Sequence, residues 1–338
     1  MLLMVLTRPV LSRLLTRLAS DLEKRMRAET HIPVLFNETM DTLAVAKGGR
    51  YIDGTLGRAG HTRGILDRGG LVLGIDRDNA ALEQVASMKL ENLTAVHGRH
   101  GDIAKIAAEN DWTPVNGVLL DLGVSSPQLD NADRGFSFMK EGPLDMRMDT
   151  SSPLSANDIV NKYDADELCR IFRDLGEEPK ARQIARAIAK ARDEGVKFET
   201  TAGLADFIGK IIPRRGAARH PATRIFQALR MAVNDEIGEL KRALEGALAV
   251  LKPGGRLVVI TFESITDRIV KQFFAAHVGK MEALQQGGAV WRGELPRAQF
   301  VFKGSIAPSA RETQSNPRSR SAKIRAIEKK EVQDGKEP

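Results

Sequence analysis

The residues most able to do chemistry cluster at three points. At the first, an acid closes a short apolar stretch at Asp53 and is followed by Gly54, Gly57, Ala59, Gly60 and His61. Glycines let a backbone approach a ligand, and a helix starting just beyond them offers free N–H groups. The spacing departs from the G-x-G-x-x-G of dinucleotide sites. An acid here would repel a pyrophosphate but attract an ammonium or sulfonium. At the second point, Asp76 lies about 20 residues past the glycines, where an acid can accept both hydroxyls of an adenosine ribose. At the third, Asp121-Leu122-Gly123-Val124-Ser125-Ser126-Pro127-Gln128 closes another apolar run. Small polar residues after a strand of an open sheet face the ligand crevice, which marks Asp121, Ser125 and Ser126 as candidates for the reaction itself.

Further residues suggest a polyanionic substrate. Arg134 and Arg147 can hold phosphates, while Phe136 and Phe138 can stack a base. His220 and Arg224 form a polar cluster ahead of a helix. No metal-ligand spacing joins the six histidines, so no metal is expected. The single cysteine, Cys169, excludes an internal disulfide and fits a reducing cytoplasm.

These residues need a scaffold, and the pattern supplies one. Arg50–Asp53, Leu71–Asp76, Leu93–His97 and Val115–Leu122 read as short buried strands. Helices separate them at 61–68, 79–88 and 103–109. Strands apolar on both faces and alternating with helices predict a parallel, doubly wound α/β sheet. The rhythm breaks between 130 and 218, where helical periodicity appears at 164–175, 180–192 and 201–212 with Pro179, Gly195 and Pro213 as punctuation. It resumes at Arg256–Phe262 after the turn Lys252–Gly255, with a helix over 265–277. The expected organisation is an extension over 1–30, a discontinuous sheet domain over 31–129 and 219–328, a helical insertion over 130–218, and a loose tail over 329–338. Ser321–Ile327 is expected as an edge strand.

Charge points the same way. The chain of 338 residues carries a formal net charge of +7. Lys180 to Arg230 holds 12 Lys/Arg against 4 Asp/Glu, a local surplus of +8. Such a segment suits a phosphate backbone. No apolar run reaches membrane-spanning length. Met1 to Leu18 is apolar with Arg8, Arg13 and Arg17, a pattern open to a targeting peptide, an amphipathic helix or an upstream start.

Several strings together resemble a known family. DGTLGRAGHT from Asp53, GIDRD from Gly74, LLDLGVSSPQLD from Leu119, RGFSFM from Arg134, GPLDMRMD from Gly142, HPATRIFQALR from His220, LKPGGRL from Leu251 and NPRSRSAKIR from Asn316 are similar to the bacterial 16S ribosomal RNA cytosine-N4 methyltransferases of the RsmH/MraW family. The resemblance runs from about His31 to Ile327. It implies a class I, Rossmann-like fold interrupted by a helical substrate-recognition domain. It also implies S-adenosyl-L-methionine as donor and N4 of a decoding-region cytosine in 16S rRNA of the small ribosomal subunit as acceptor. By motif, Ala59, Gly60, His61, Asp76, Asp121 and Gln128 would contact the donor, joined by Asp53, Gly57 and His100. The family usually has Gly at position 59 and Phe at position 100, and commonly Ser-Phe-His-Ser where this chain has Thr261-Phe262-Glu263-Ser264. Arg134, Phe136, Arg147, His220 and Arg224 are the expected substrate contacts. A homodimer is admissible, and no membrane partner is expected. The residues alone keep two alternatives open: a donor-binding ribosome-assembly factor without turnover, and an NAD-dependent Rossmann oxidoreductase, against which Asp53 speaks.

Overall fold

A computed structural model describes residues 33–212, 220–283, 289–292 and 296–331. The expected extension over 1–30 and most of the expected tail lie outside these residues. Helix α1 (Phe36–Leu43) precedes strand β1 (Arg50–Asp53), helix α2 (Gly60–Asp67), β2 (Leu71–Asp76), α3 (Asn79–Ser87), β3 (Leu93–His97), α4 (Ile103–Glu109) and β4 (Val115–Asp121). After the short helix α5 (Ser126–Asp130) come α6 (Ala156–Lys162), α7 (Ala165–Asp174), α8 (Ala181–Asp193), α9 (Thr201–Ile211), α10 (Ala222–Val233) and α11 (Glu236–Val250). The chain then returns through β5 (Leu251–Thr261) and α12 (Ser264–Val278) to a small hairpin, β6 (Lys280–Ala283) with β7 (Ala289–Arg292). It ends in β8 (Ala298–Phe300), α13 (Ala310–Ser315) and β9 (Lys323–Lys329).

Seven strands form one sheet in the order β3-β2-β1-β4-β5-β9-β8. The first five are parallel, and β9 runs antiparallel to both β5 and β8. The expected edge strand near Ser321 is therefore interior: it is β9, covered on its far side by β8. Successive strand residues point to opposite faces, and the packing follows that period. Ile52, Val118, Leu120, Leu257 and Val259 join Ile103, Leu244 and Phe274 on one face. Tyr51, Leu119, Val258 and Ile260 join Leu35, Met40 and Ile65 on the other. Burial on both faces is what confines a sheet of this kind to apolar runs.

A second core fills the interrupted region. It runs from Phe136 through Ile184, Ile188, Leu204 and Ile208 to Leu229 and Val233, so α10 packs with α6–α9. Helix α6 falls in a stretch with no helical expectation, although Ser155 and Asp158 form a reciprocal capping box at its start. Among the described residues no helix is long and apolar enough to cross a membrane.

Candidate functional site

A cavity of about 570 Å³ opens at the carboxyl ends of β1, β2, β4 and β5. This is where an open parallel sheet exposes free backbone groups and leaves a crevice between its helical layers. The structure brings Asp53, Gly57, Gly60, His61, Asp76, His100, Asp121, Ser125, Ser126 and Gln128 onto its walls.

The turn after β1 is held by its own polar groups. Asp53, 1% exposed, accepts hydrogen bonds from Thr62 Oγ1 at 2.7 Å and from the Thr55 N–H at 3.1 Å. Thr55 Oγ1 accepts in turn from the Asp121 N–H at 2.7 Å, so the ends of β1 and β4 are locked together. Asp76 accepts the Gly57 N–H at 2.7 Å and the Asp78 N–H at 2.9 Å. These bonds fix where the carboxylates point before any ligand arrives.

Ala59 sits at φ 59° and ψ 31°, the left-handed region, at the N-cap of α2. A Cβ in that conformation costs about 1–2 kcal/mol. Ala59→Gly is expected to stabilise the protein by roughly 0.5–1 kcal/mol after the added freedom of the unfolded chain is deducted. A thermal melt checks this; a lower melting temperature would show that Ala59 is better tolerated than its φ implies.

Burial controls the charges. It pushes the Asp53 carboxyl up to about 6, against the pull of the Thr62 and Thr55 hydrogen bonds. Burial and then the neighbouring Asp53 charge push Asp121 up to about 7. Asp76 is also raised, again chiefly by burial. The same desolvation lowers His61 to about 4 and His100 to about 4, so both imidazoles are neutral at pH 7. His61 Nε2 lies 3.0 Å from the Val34 carbonyl, which places its proton on that nitrogen. The bare Nδ1 then faces Asp121 Oδ2 at 3.6 Å, and a neutral ring makes this a contact rather than an ion pair. Asp121 Oδ1 and His100 Nε2 are buried with no hydrogen-bond partner among the described residues. These two orphaned polar atoms call for a ligand with a cationic or donor group near Asp121 and a donor or acceptor near His100. A donor that combines an amino-acid ammonium, a sulfonium and an adenosine fits this set. No group of three or more His, Cys, Asp or Glu among the described residues could hold a metal.

The loop after β4 is structured by helix capping. The Ser125 N–H donates to Gln128 Oε1 at 3.0 Å within a reciprocal capping box. Gln128 Nε2 donates to Asp78 Oδ2 at 2.9 Å. Gly123 at φ 126° lets the loop turn beside Phe262.

The expected substrate residues are placed differently. Arg134 donates to Asp78 Oδ2 at 2.9 Å and to the Arg147 and Met148 carbonyls at 3.0 and 2.9 Å. Arg147 forms a bidentate pair with Asp145 and also donates to the Thr150 and Ser152 carbonyls. Both guanidiniums therefore brace the loop that follows α5, and neither lines the cavity. Phe136 is 7% exposed inside the second core. His220 packs against Phe138 with ring centroids 5.0 Å apart. Arg224 is half exposed, 3.9 Å from Glu178.

The sequence reading missed one cluster on the cavity wall. Arg230, 9% exposed, forms a bidentate pair with Glu236 at 2.7 and 2.9 Å and reaches Glu263 at 2.9 Å. Burial opposes its charge, but the two carboxylates outweigh that and hold its pKa above the ordinary arginine value. Glu236 and Glu263 both line the cavity. The only sequence signal was the departure at Glu263 from the Ser-Phe-His-Ser pattern.

Comparison with known proteins gives the chain's family. Residues 28–330 match the family described as the MraW methylase family. The chain is 48% identical over 307 residues to the Ribosomal RNA small subunit methyltransferase H of Methylobacterium nodulans, covering 88% of this chain and 90% of that protein. Its likeness to the protein of the same name from Xanthobacter autotrophicus is 46% over 303 residues, covering 88% and 87%. With that of Carboxydothermus hydrogenoformans it is 45% over 305 residues, covering 89% and 98%.

Proposed function

The chain belongs to the MraW methylase family, and from that premise we propose that it methylates N4 of a cytosine in the decoding region of small-subunit 16S ribosomal RNA, in the cytoplasm. It is a ribosomal RNA small subunit methyltransferase that depends on S-adenosylmethionine, built on the class I methyltransferase sheet. The observation that carries the site assignment is the orphaned Oδ1 of Asp121 in the same cavity as Asp53, Asp76 and the loop after β4.

When bound, S-adenosylmethionine supplies an electrophilic methyl group on a sulfonium. The chain's own residues then have three tasks. Asp76, already oriented by the Gly57 and Asp78 N–H groups, retains lone pairs for ribose hydroxyls. Asp53 and Asp121 place negative charge where the donor is cationic, in a low-dielectric site where that attraction is strong. The loop from Gly123 to Ser126 with Asp121 forms the wall against which the acceptor is positioned.

Cytosine N4 is a poor nucleophile because its lone pair is delocalised into the ring. Holding it in line with the methyl group and accepting its hydrogens localises the lone pair as the bond forms. The target base must leave its stack to reach such a cavity. Lys180, Arg182, Arg186 and Lys190, exposed on and beside α8, supply the positive surface for the flanking phosphates.

Small subunits from a strain lacking the gene, incubated with the protein and methyl-labelled donor, test this reading. The expected outcome is close to one methyl group per subunit, in the RNA. Label in protein would overturn it in favour of a protein substrate, and no label despite donor binding would overturn it in favour of a non-catalytic assembly role.

A further inference from the structure

Asp121 alone leaves the acceptor side of the cavity short of a hydrogen-bond acceptor. Its unpartnered Oδ1 is assigned to the cationic donor in the reading above. The β4–β5 pairing shows where the acceptor side lies. Asp121 is in register with Ile260, and the Leu122 N–H donates to the Ile260 carbonyl at 3.0 Å. The residues that follow each strand are therefore neighbours: Gly123 beside Phe262, and Glu263 one step further.

Glu263 has features of a group prepared for a ligand. One oxygen, Oε1, accepts from Arg230 Nη2 at 2.9 Å. The other, Oε2, is buried and has no partner among the described residues. Its side chain is 14% exposed and belongs to the cavity lining. A buried carboxylate oxygen without a partner is costly, and functional sites are where that cost is tolerated. Arg230 in turn is fixed by its bidentate pair with Glu236, so the carboxylate cannot swing to find a substitute partner without breaking a buried ion pair.

We propose that Glu263 Oε2 is the hydrogen-bond acceptor for the exocyclic amine of the target base, with Phe262 forming the adjacent apolar wall. This rests on the cytosine-N4 reading above. An acceptor on one N4 hydrogen fixes the rotation of the amine and favours a pyramidal nitrogen with its lone pair available. As the N4 lone pair forms the new N–C bond, the C–S bond breaks with its electrons left on sulfur. The proton then lost from N4 passes to Glu263 Oε2, and from there to water. A carboxylate is a sufficient base, because an exocyclic nitrogen carrying both hydrogens and the methyl group is strongly acidic. The same arrangement selects against a carbonyl: a uracil would present O4 to a carboxylate and be repelled.

The test compares the whole protein with Glu263→Gln and Glu263→Asp on small subunits lacking the modification. Glutamine keeps an oxygen for Arg230 and turns a donor toward the amine. The expected result for Glu263→Gln is a kcat lower by about 10²-fold, the range of a lost general base. Donor affinity by calorimetry is expected to stay within about twofold, because Glu263 faces the base and not the donor, and the loss in subunit binding is expected to be much smaller than the loss in kcat. Glu263→Asp, which keeps the charge, is expected to recover part of the lost rate. Full turnover in Glu263→Gln would overturn the assignment. Equal losses of melting temperature, donor affinity and kcat in both variants would also overturn it, since that is the signature of a brace for Arg230 alone. A wild-type protein that transfers no methyl to N4 would instead sink the underlying reading.

Discussion

Asp121→Asn is expected to lower kcat/KM by about 10²–10³-fold, the magnitude of losing one oriented charge from a preorganised site. Donor affinity should fall by about 10–100-fold, corresponding to a charge-assisted contact of roughly 1.5–3 kcal/mol. The effect has a pH signature. Asp121 titrates at about 7 in the unliganded protein because burial and Asp53 disfavour its charge. A cationic donor binds the ionised form, so wild-type affinity should rise from pH 5.5 and flatten above about pH 7. Asp53, at about 6, contributes to the lower part of that rise, and only this part should survive in Asp121→Asn. Folding stability runs the other way. Both carboxyls have folded-state pKa values above the ordinary 3.8, so their contribution is fully present below that value and is lost as pH climbs through about 6 and 7. Unliganded Asp121→Asn should therefore melt higher than wild type at pH 8, while binding donor worse. Calorimetric titrations across pH check the first claim and thermal melts the second. Donor affinity that is flat with pH would show that Asp121 is not the cationic contact. Full turnover and normal donor binding in both Asp121→Ala and Ser125→Ala would remove the loop after β4 from the mechanism.

Arg230→Met is expected to destabilise the protein by about 3–5 kcal/mol, because it strands two carboxylates that its guanidinium now neutralises. Glu236 is 9% exposed and Glu263 14% at the side chain, so water cannot replace the lost partner cheaply. For a chain of 338 residues the melting temperature should drop by roughly 4–7 °C. Pairing the change with Glu236→Leu should recover a large part of the loss, since the penalty comes from the unpaired charge rather than from the absent bond. A drop of only a degree or two in the single variant would mean that the triad is better hydrated than its burial indicates. The same cluster joins α10, α11 and the turn after β5, so its loss should also loosen one wall of the donor cavity.

The sheet was legible because its strands are apolar on both faces and are bounded by turn residues. The bounds of Leu71–Asp76 and Leu93–His97 were read to the residue, but β3 lies at the sheet's edge with no buried residue, so the expectation of a buried strand there did not hold. The start of β5 was missed: Lys252–Gly255 reads as a turn, yet Val115 still pairs with Leu251 across an irregularity in the register. The place of β9 was misjudged because its cover, β8, is three residues long and carries no pattern of its own. Asp53, Asp76 and Asp121 could be placed on one cavity wall because each closes a strand, and strand ends in such a sheet share one edge.

The arginines were not recognisable in the same way. Arg134 finds Asp78 from 56 positions away, and Arg230 finds Glu263 from 33. A local motif cannot reveal a partner at that distance, so a basic residue in a polar loop reads as a phosphate contact whether or not its charge is already neutralised. The helix α6 was hidden for a different reason. It is seven residues long and, unlike the equally short α4, is not flanked by strands whose alternation calls for a helix, so only its capping box marks it.

The most direct test of the central claim is the identity of the methylated nucleoside. Small subunits lacking the modification, treated with the protein and S-adenosylmethionine, are digested to nucleosides and mapped by mass spectrometry against N4-methyl, C5-methyl and 2′-O-methyl cytidine standards. A single N4-methylcytidine in the decoding region is the expected product. A methyl group on carbon or on ribose would contradict the account, because neither product needs the amine acceptor that the cavity holds beside Asp121.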